Sequence, residues 1–145
     1  MASTLDLLAN TLLDAPIGYV EQTLAEILKK PVHIDVIEQN STSRTKYVRK
    51  VVISAAQFPI VSAMVRFDSK ILPESVMSDL LQKKEGIGNI LRKNNISARR
   101  NAVSINFDPN RKKITRSYKI LHDDSVWFQI SEEIRLDLLS ACQDS

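Results

Sequence analysis

The sequence contains one cysteine, three glycines and five prolines, and it has no long apolar run. The lone Cys142 excludes an internal disulfide and a cysteine-rich metal cluster. His33 and His122 lie far apart and lack the spacing of metal ligands, so we expect no bound metal. A chain this poor in glycine and proline is not typical of a disordered or repetitive protein. Because it has neither a signal-peptide pattern nor an apolar segment of membrane-spanning length, we expect a cytoplasmic protein with no membrane partner.

The chain of 145 residues is long enough for one domain with a substantial core, so we expect a single domain over residues 1–145. Hydrophobic residues make up 43% and charged residues 26%, which is typical of a globular protein. The net charge of +3 is small, and the basic residues form short, scattered groups without interleaved aromatic residues. We therefore expect no nucleic-acid partner.

Hydrophobic periodicity divides the chain into helices and strands. A period near 3.6 predicts helices over residues 5–13, 18–30, 73–81 and 89–92, and a short C-terminal helix from residue 136. Alternation predicts strands over residues 32–36, 47–53, 61–67, 96–107, 114–120 and 126–134. Residues 40–43 are expected to form a polar loop and residues 108–111 a turn. Because the strands follow one another as hairpins, we expect an α+β domain in which a six-stranded antiparallel sheet has helices packed over one side.

The last predicted strand carries a carboxylate on its apolar face. Alternation places Glu132 on the same face as Phe128 and Ile130, whereas Trp127 and Gln129 fall on the polar face. A carboxylate is rarely buried unless a partner compensates its charge. Glu132 is therefore expected to have a cationic or hydrogen-bonding partner.

Two arginines also fall on apolar faces of predicted strands. Arg49 shares a face with Val51, and Arg116 shares one with Tyr118. Two inward arginines and one inward glutamate suit a small anionic ligand that also carries a hydrogen-bond donor. The alternative interpretation is a buried ion pair that only ties strands together.

The segment Gly86-Ile87-Gly88 leads directly into a helix-like stretch. A glycine turn before a helix presents free backbone N–H groups and is a natural anion site. A glycine that caps the C-terminus of the preceding helix would give the same pattern. The segment by itself leaves both interpretations open.

Four segments together resemble the chorismate lyase (chorismate pyruvate-lyase) family, in particular its small, single-domain branch. They are residues 47–53, 86–91, 116–120 and 130–132, in that order, and the resemblance extends over about residues 18–134. It implies one antiparallel sheet of six strands, with the ligand enclosed beneath helical flaps. It also implies cleavage of chorismate to 4-hydroxybenzoate and pyruvate without a metal or organic cofactor, usually to supply a quinone precursor.

The resemblance assigns one group of residues to the ring carboxylate of chorismate. Arg49 matches the arginine that binds this carboxylate. Ile87, between Gly86 and Gly88, matches the residue whose backbone N–H completes the site. These residues are therefore expected to bind the substrate and the 4-hydroxybenzoate product.

The resemblance assigns the catalytic end of the site to Glu132 and Arg116. Glu132 matches the glutamate that faces the phenolic oxygen, where it would act as a general acid on the departing enolpyruvyl ether. Arg116 is expected near the pyruvyl carboxylate. After Glu132 the family usually has an aromatic residue and a proline, whereas Glu133 and Ile134 follow here.

This departure leaves open a changed substrate or a domain retained only for binding. The alternative function is a non-catalytic sensor, because the effector domains of a large class of bacterial transcription regulators share the fold. The segment before residue 18 is too short for the winged-helix segment that such domains follow, so we expect the lyase. The sequence does not distinguish which hydroxybenzoate isomer would be released.

Overall fold

The structure is a computed structural model that describes residues 4–110 and 112–145. Five helices and six strands follow one another along these residues in the order ααβββααβββα. The elements are α1 (Thr4–Leu13), α2 (Val20–Leu28), β1 (Val32–Ser41), β2 (Lys46–Ala55), β3 (Phe58–Asp68), α3 (Glu74–Leu81), α4 (Ile87–Lys93), β4 (Arg99–Phe107), β5 (Lys113–His122), β6 (Ser125–Arg135) and α5 (Leu136–Asp144). None of the helices in the described part is long and apolar enough to cross a membrane.

The strands form one antiparallel sheet in the order β1-β2-β3-β6-β5-β4. The predicted α+β class with an antiparallel sheet is therefore confirmed, and six strands are present among the described residues. Sequential hairpins account for β1-β2-β3 and for β4-β5-β6. The pairing of β3 with β6 joins the two halves, and it connects residues that are distant in sequence.

All five helices pack on one face of the sheet and create two hydrophobic clusters. The first cluster brings Leu24 of α2 and Leu139 of α5 against Ile134 of β6. The second brings Leu80 of α3 and Ile90 of α4 against sheet residues that include Phe128. The opposite face of the sheet is mostly polar and exposed, as alternation requires.

Several predicted boundaries differ from the observed ones. Strand β1 continues to Ser41 through residues predicted as a loop, because a register shift between Val36 and Glu38 resets its alternation. Strand β4 begins at Arg99 rather than at residue 96. The last residue of the predicted turn, Arg111, lies outside the described residues.

The prediction that Trp127 lies on the polar face was wrong. Ile120 pairs with Phe128 but Leu121 pairs with Val126, so Trp127 is an additional residue in β6 at a register shift. Such a bulge turns a side chain towards the other face of the sheet. The indole is accordingly buried in the second cluster, and its ring lies 4.6 Å from the ring of His122.

Candidate functional site

A cavity of about 90 Å³ lies between the helix-covered face of the sheet and the first residues of α2 and α4. Its apolar wall comes mainly from the sheet, with Val65 and Ile130 among the contributors. Three of the predicted site residues, Gly86, Ile87 and Gly88, line it at the start of α4. Its ionisable or hydroxyl-bearing lining residues are Glu21, Arg100, Tyr118 and Glu132.

Glu132 lines the cavity with both carboxylate oxygens engaged. Arg116 lies directly opposite it in the β5–β6 register, and Nε of Arg116 donates to Oε1 of Glu132. The Tyr118 hydroxyl donates to Oε2 over 2.7 Å. Nη1 of Arg116 donates to the Leu13 carbonyl of α1 over 3.0 Å. Glu132 is thus an acceptor on both oxygens, and the guanidinium of Arg116 is occupied by protein partners.

Tyr118 holds this network in place. Burial raises the pKa of the Tyr118 phenol above its ordinary value, and the adjacent Glu132 carboxylate raises it further. The phenol therefore remains protonated and continues to donate to Glu132. The guanidinium groups of Arg100 and Arg116 lie 5.2 and 5.1 Å from the centre of the Tyr118 ring, where each makes a cation–π contact.

Arg49 is 0% exposed and lies beside the cavity rather than on its wall. Its Nη2 donates to the backbone carbonyl of Glu85 over 2.7 Å. Among the residues that the structure describes, Nε and Nη1 of Arg49 have no acceptor. Burial lowers the pKa of Arg49 to about 10, partly offset by the Glu85 charge, so the group remains cationic at neutral pH. Two neighbours of this group line the cavity. Val65 pairs with Arg49 in the β2–β3 register, and Gly86 directly follows Glu85.

Gln39 adds a second polar group beside Arg49. It is buried directly opposite Arg49 in the β1–β2 register, and its Nε2 donates to the Leu80 carbonyl over 3.0 Å. Its Oε1 has no donor within the described part of the chain. Unmatched donors and an unmatched acceptor therefore lie buried together beside the cavity.

Arg100 is a cavity residue that the sequence interpretation missed, because it was grouped with the scattered surface charges. Its Nη1 donates to the Ala15 carbonyl over 2.7 Å, and its buried Nε has no acceptor among the described residues. Arg100 follows Ile96 and Ala98 at two-residue intervals, and both of those residues pack against the second cluster. This two-residue spacing was the feature of the sequence that could have indicated an inward Arg100.

The glycines of the Gly86-Ile87-Gly88 segment shape the cavity wall. The alternative of a glycine C-cap is wrong. Gly86 has an extended backbone, with φ of −73° and ψ of 159°, and the left-handed residue after α3 is Lys83, with φ of 56°. Gly88 is needed for a close approach, since a Cβ there would lie 2.2 Å from the Cα of Gly18. Gly18 itself has φ of +90°, which favours glycine. The two backbones thus close the cavity together.

Glu21 places a carboxyl group on the cavity wall from α2. Burial raises the pKa of Glu21, the nearby Arg92 lowers it, and the Glu85 carboxylate raises it again. The carboxyl group therefore lies in an environment that disfavours a negative charge at this point of the wall.

No family model matches the chain, and no curated protein matches it at a significant level. Solved structures do match. PhnF from Mycobacterium smegmatis superposes with a TM-score of 0.61 and 8% identity over 84% of this chain and 65% of PhnF. The separate effector domain of PhnF matches with a TM-score of 0.57 and 8% identity over 85% of this chain and 91% of the domain.

A further match is the possible transcriptional regulator YydK from Bacillus subtilis, with a TM-score of 0.51 and 8% identity over 75% of this chain and 60% of YydK. The chain thus spans about two thirds of PhnF but nearly all of its effector domain. At such identities the likeness concerns the fold alone. The chain shares its fold with the PhnF effector domain. It is the chorismate lyase-like fold that the resemblance implied.

Proposed function

We propose that this chain is an effector domain that binds a small organic acid without transforming it. The observation that carries the proposal is Arg49, a fully buried cation with two N–H groups that have no acceptor among the described residues. A buried donor on a charged group that has no acceptor costs about 1–3 kcal/mol or more. An acid group bound beside the cavity would accept hydrogen bonds from both N–H groups.

The unmatched N–H donors of Arg49 and Arg100 favour an anion over a neutral or cationic ligand. Arg116 is neutralised by Glu132, whereas Arg49 and Arg100 donate to the backbone carbonyls of Glu85 and Ala15. The apolar wall of the cavity, formed from residues such as Val65 and Ile130, suits a hydrocarbon or aromatic body. A small aromatic or aliphatic carboxylic acid combines both features.

The second candidate function is a chorismate pyruvate-lyase that yields 4-hydroxybenzoate and pyruvate. One observation favours it, because Glu132 and the Gly86–Gly88 segment line the same cavity. General-acid catalysis would require Glu132 to donate a proton to the leaving oxygen. Since both of its oxygens accept hydrogen bonds from Arg116 and Tyr118, this network would have to open first. Binding of an acid without catalysis does not require this network to open, and we therefore prefer the effector domain to the lyase.

Isothermal titration calorimetry with 4-hydroxybenzoate as the probe tests the binding proposal. Hydrogen bonds to a charged group contribute about 1.5–3 kcal/mol, so Arg49→Gln should raise the dissociation constant by about tenfold to a hundredfold. Arg66→Gln is the matched control, because Arg66 is exposed on the opposite face of the sheet. The proposal fails if the wild-type protein does not bind the probe, or if the two variants lose the same affinity.

Incubation of the purified protein with chorismate separates the two candidate functions. An effector domain leaves chorismate intact, and a coupled assay then detects no pyruvate above the uncatalysed background. Pyruvate released together with a hydroxybenzoate would establish the lyase instead. Chromatography of the same sample would identify the hydroxybenzoate isomer.

A further inference from the structure

The two arginines that have unmatched donors approach the cavity from opposite sides of the sheet. Arg49 is on β2 and Arg100 is on β4, and the strands β3, β6 and β5 lie between them. Neighbouring strands are about 4.8 Å apart, so the backbones of these two residues are roughly 19 Å apart. The two sets of donors therefore belong to different ends of the site.

Each guanidinium group is also anchored on its own side. Nη2 of Arg49 donates to the Glu85 carbonyl over 2.7 Å. Nη1 of Arg100 donates to the Ala15 carbonyl over 2.7 Å, and its guanidinium lies 5.2 Å from the centre of the Tyr118 ring. The donors that have no acceptor among the described residues are Nε and Nη1 of Arg49 and Nε of Arg100. A single carboxylate accepts from one of these anchored groups and leaves the other unmatched.

One row of residues across the sheet connects the two ends. Arg49 pairs with Val65, and Val65 pairs with Ile130. Ile130 pairs in turn with Tyr118, and the guanidinium of Arg100 lies over the Tyr118 ring. Val65, Ile130 and Tyr118 all line the cavity. A ligand that meets both arginines therefore has a polar group at each end and an apolar body over the aliphatic side chains between them.

The end of the site next to Arg100 needs an acceptor and not a hydroxyl donor. Both oxygens of Glu132 already accept hydrogen bonds, one from Arg116 and the other from Tyr118. A hydroxyl that donates would have to displace one of these partners. A guanidinium group forms its strongest hydrogen bonds with a carboxylate, so an acid group suits Nε of Arg100 best.

We propose that the ligand is a dicarboxylic acid whose two carboxylates bind Arg49 and Arg100, with its apolar body over Val65 and Ile130. This inference rests on the proposed function, because it names the class of acid that the domain binds. Arg49 then binds the acid group that all its ligands share. Arg100 determines specificity, because it distinguishes acids with a second carboxylate from those without one.

Two carboxyl groups on the cavity wall are compatible with a ligand of two negative charges. Glu132 is balanced by its ion pair with Arg116. Burial raises the pKa of Glu21, and a bound anion nearby would raise that pKa further. Glu21 can therefore take up a proton when the ligand binds.

Isothermal titration calorimetry with terephthalate and 4-hydroxybenzoate tests the inference, because these probes differ only in the group opposite the shared carboxylate. Terephthalate should bind the wild-type protein about tenfold to a hundredfold more tightly, the usual contribution of a hydrogen bond to a charged group. Arg100→Gln should remove this preference. Arg99→Gln is the matched control and should retain it, since Arg99 is exposed and pairs with Asp124 at 3.2 Å.

Monomethyl terephthalate is a third probe, which keeps the test independent of whether a variant folds. It replaces the second carboxylate by a neutral ester, so it should lose most of the gain in affinity on the wild-type protein. Terephthalate that binds no more tightly than 4-hydroxybenzoate would overturn the inference and leave the acid-binding function intact, and so would a preference that persists in Arg100→Gln. Failure of every acid to bind would overturn the proposed function as well.

Discussion

Arg116 and Glu132 face each other across β5 and β6, and their side chains form an ion pair at the floor of the cavity. The buried ion pair, which the sequence allowed as an alternative to a ligand site, is therefore present. It uses only one of the two inward arginines. Arg49, on β2, donates to the backbone carbonyl of Glu85 and retains two N–H groups that have no acceptor among the described residues. These two unmatched donors are the reason to expect an anionic ligand.

Glu132→Leu should destabilise the fold by about 3–5 kcal/mol, because it leaves the Arg116 charge buried without its partner. Replacing both residues by leucine should recover most of that loss, since hydrophobic substitution of a whole buried pair is often neutral. Urea unfolding of the single and double variants measures both effects. Strictly additive losses in the double variant would show that the pair is not coupled.

Gly88→Ala should be strongly destabilising, because its Cβ would lie 2.2 Å from both the Cα and the nitrogen of Gly18. Gly86→Ala is the matched control. Its Cβ would first meet the end of the Ile34 side chain at 3.1 Å, which can move. Thermal unfolding should show a clearly larger decrease in Tm for the first variant. Equal decreases would contradict the close approach of the two backbones.

Glu21→Gln should remove part of the pH dependence of stability. Because burial raises the pKa of Glu21, the folded protein binds this proton more readily than the unfolded chain does. Its contribution to the free energy of unfolding therefore falls as the pH rises from about 4.3, the ordinary glutamate pKa, through the raised value. The variant should gain stability relative to wild type above this window and show no gain below it. Urea titrations at several pH values measure the difference.

Trp127→Ala should cost about 3–5 kcal/mol, the usual loss for a large aromatic side chain in a core. A tryptophan on the exposed face, as alternation alone predicts, would cost far less. Leu81→Ala serves as the control, because Leu81 is an exposed apolar residue on α3. Chemical denaturation with far-ultraviolet circular dichroism gives both values. A loss for Trp127→Ala no larger than that of the control would contradict the bulged register of β6.

Much of the candidate site followed from alternation along single strands. The inward positions of Arg49, Arg116 and Glu132 depend only on the two-residue period, and the nearest register shifts, in β1 and β4, insert no residue into the strands that carry these side chains. Trp127 departs from its predicted face because a bulge adds one residue to β6. Arg100 was missed because its significance depends on a cavity built from distant elements.

The sequence by itself determined the class of fold, the strands that carry charge on their apolar faces, and the glycines at the start of α4. These are local properties, since they depend on periodicity and on backbone conformation within a few residues. Only the tertiary structure decided which arginine pairs with Glu132 and which is left unmatched. That choice depends on the pairing of β5 with β6 and on the helices that cover the sheet. Alternation gives the face on which a charge lies, whereas strand pairing and packing supply its partner.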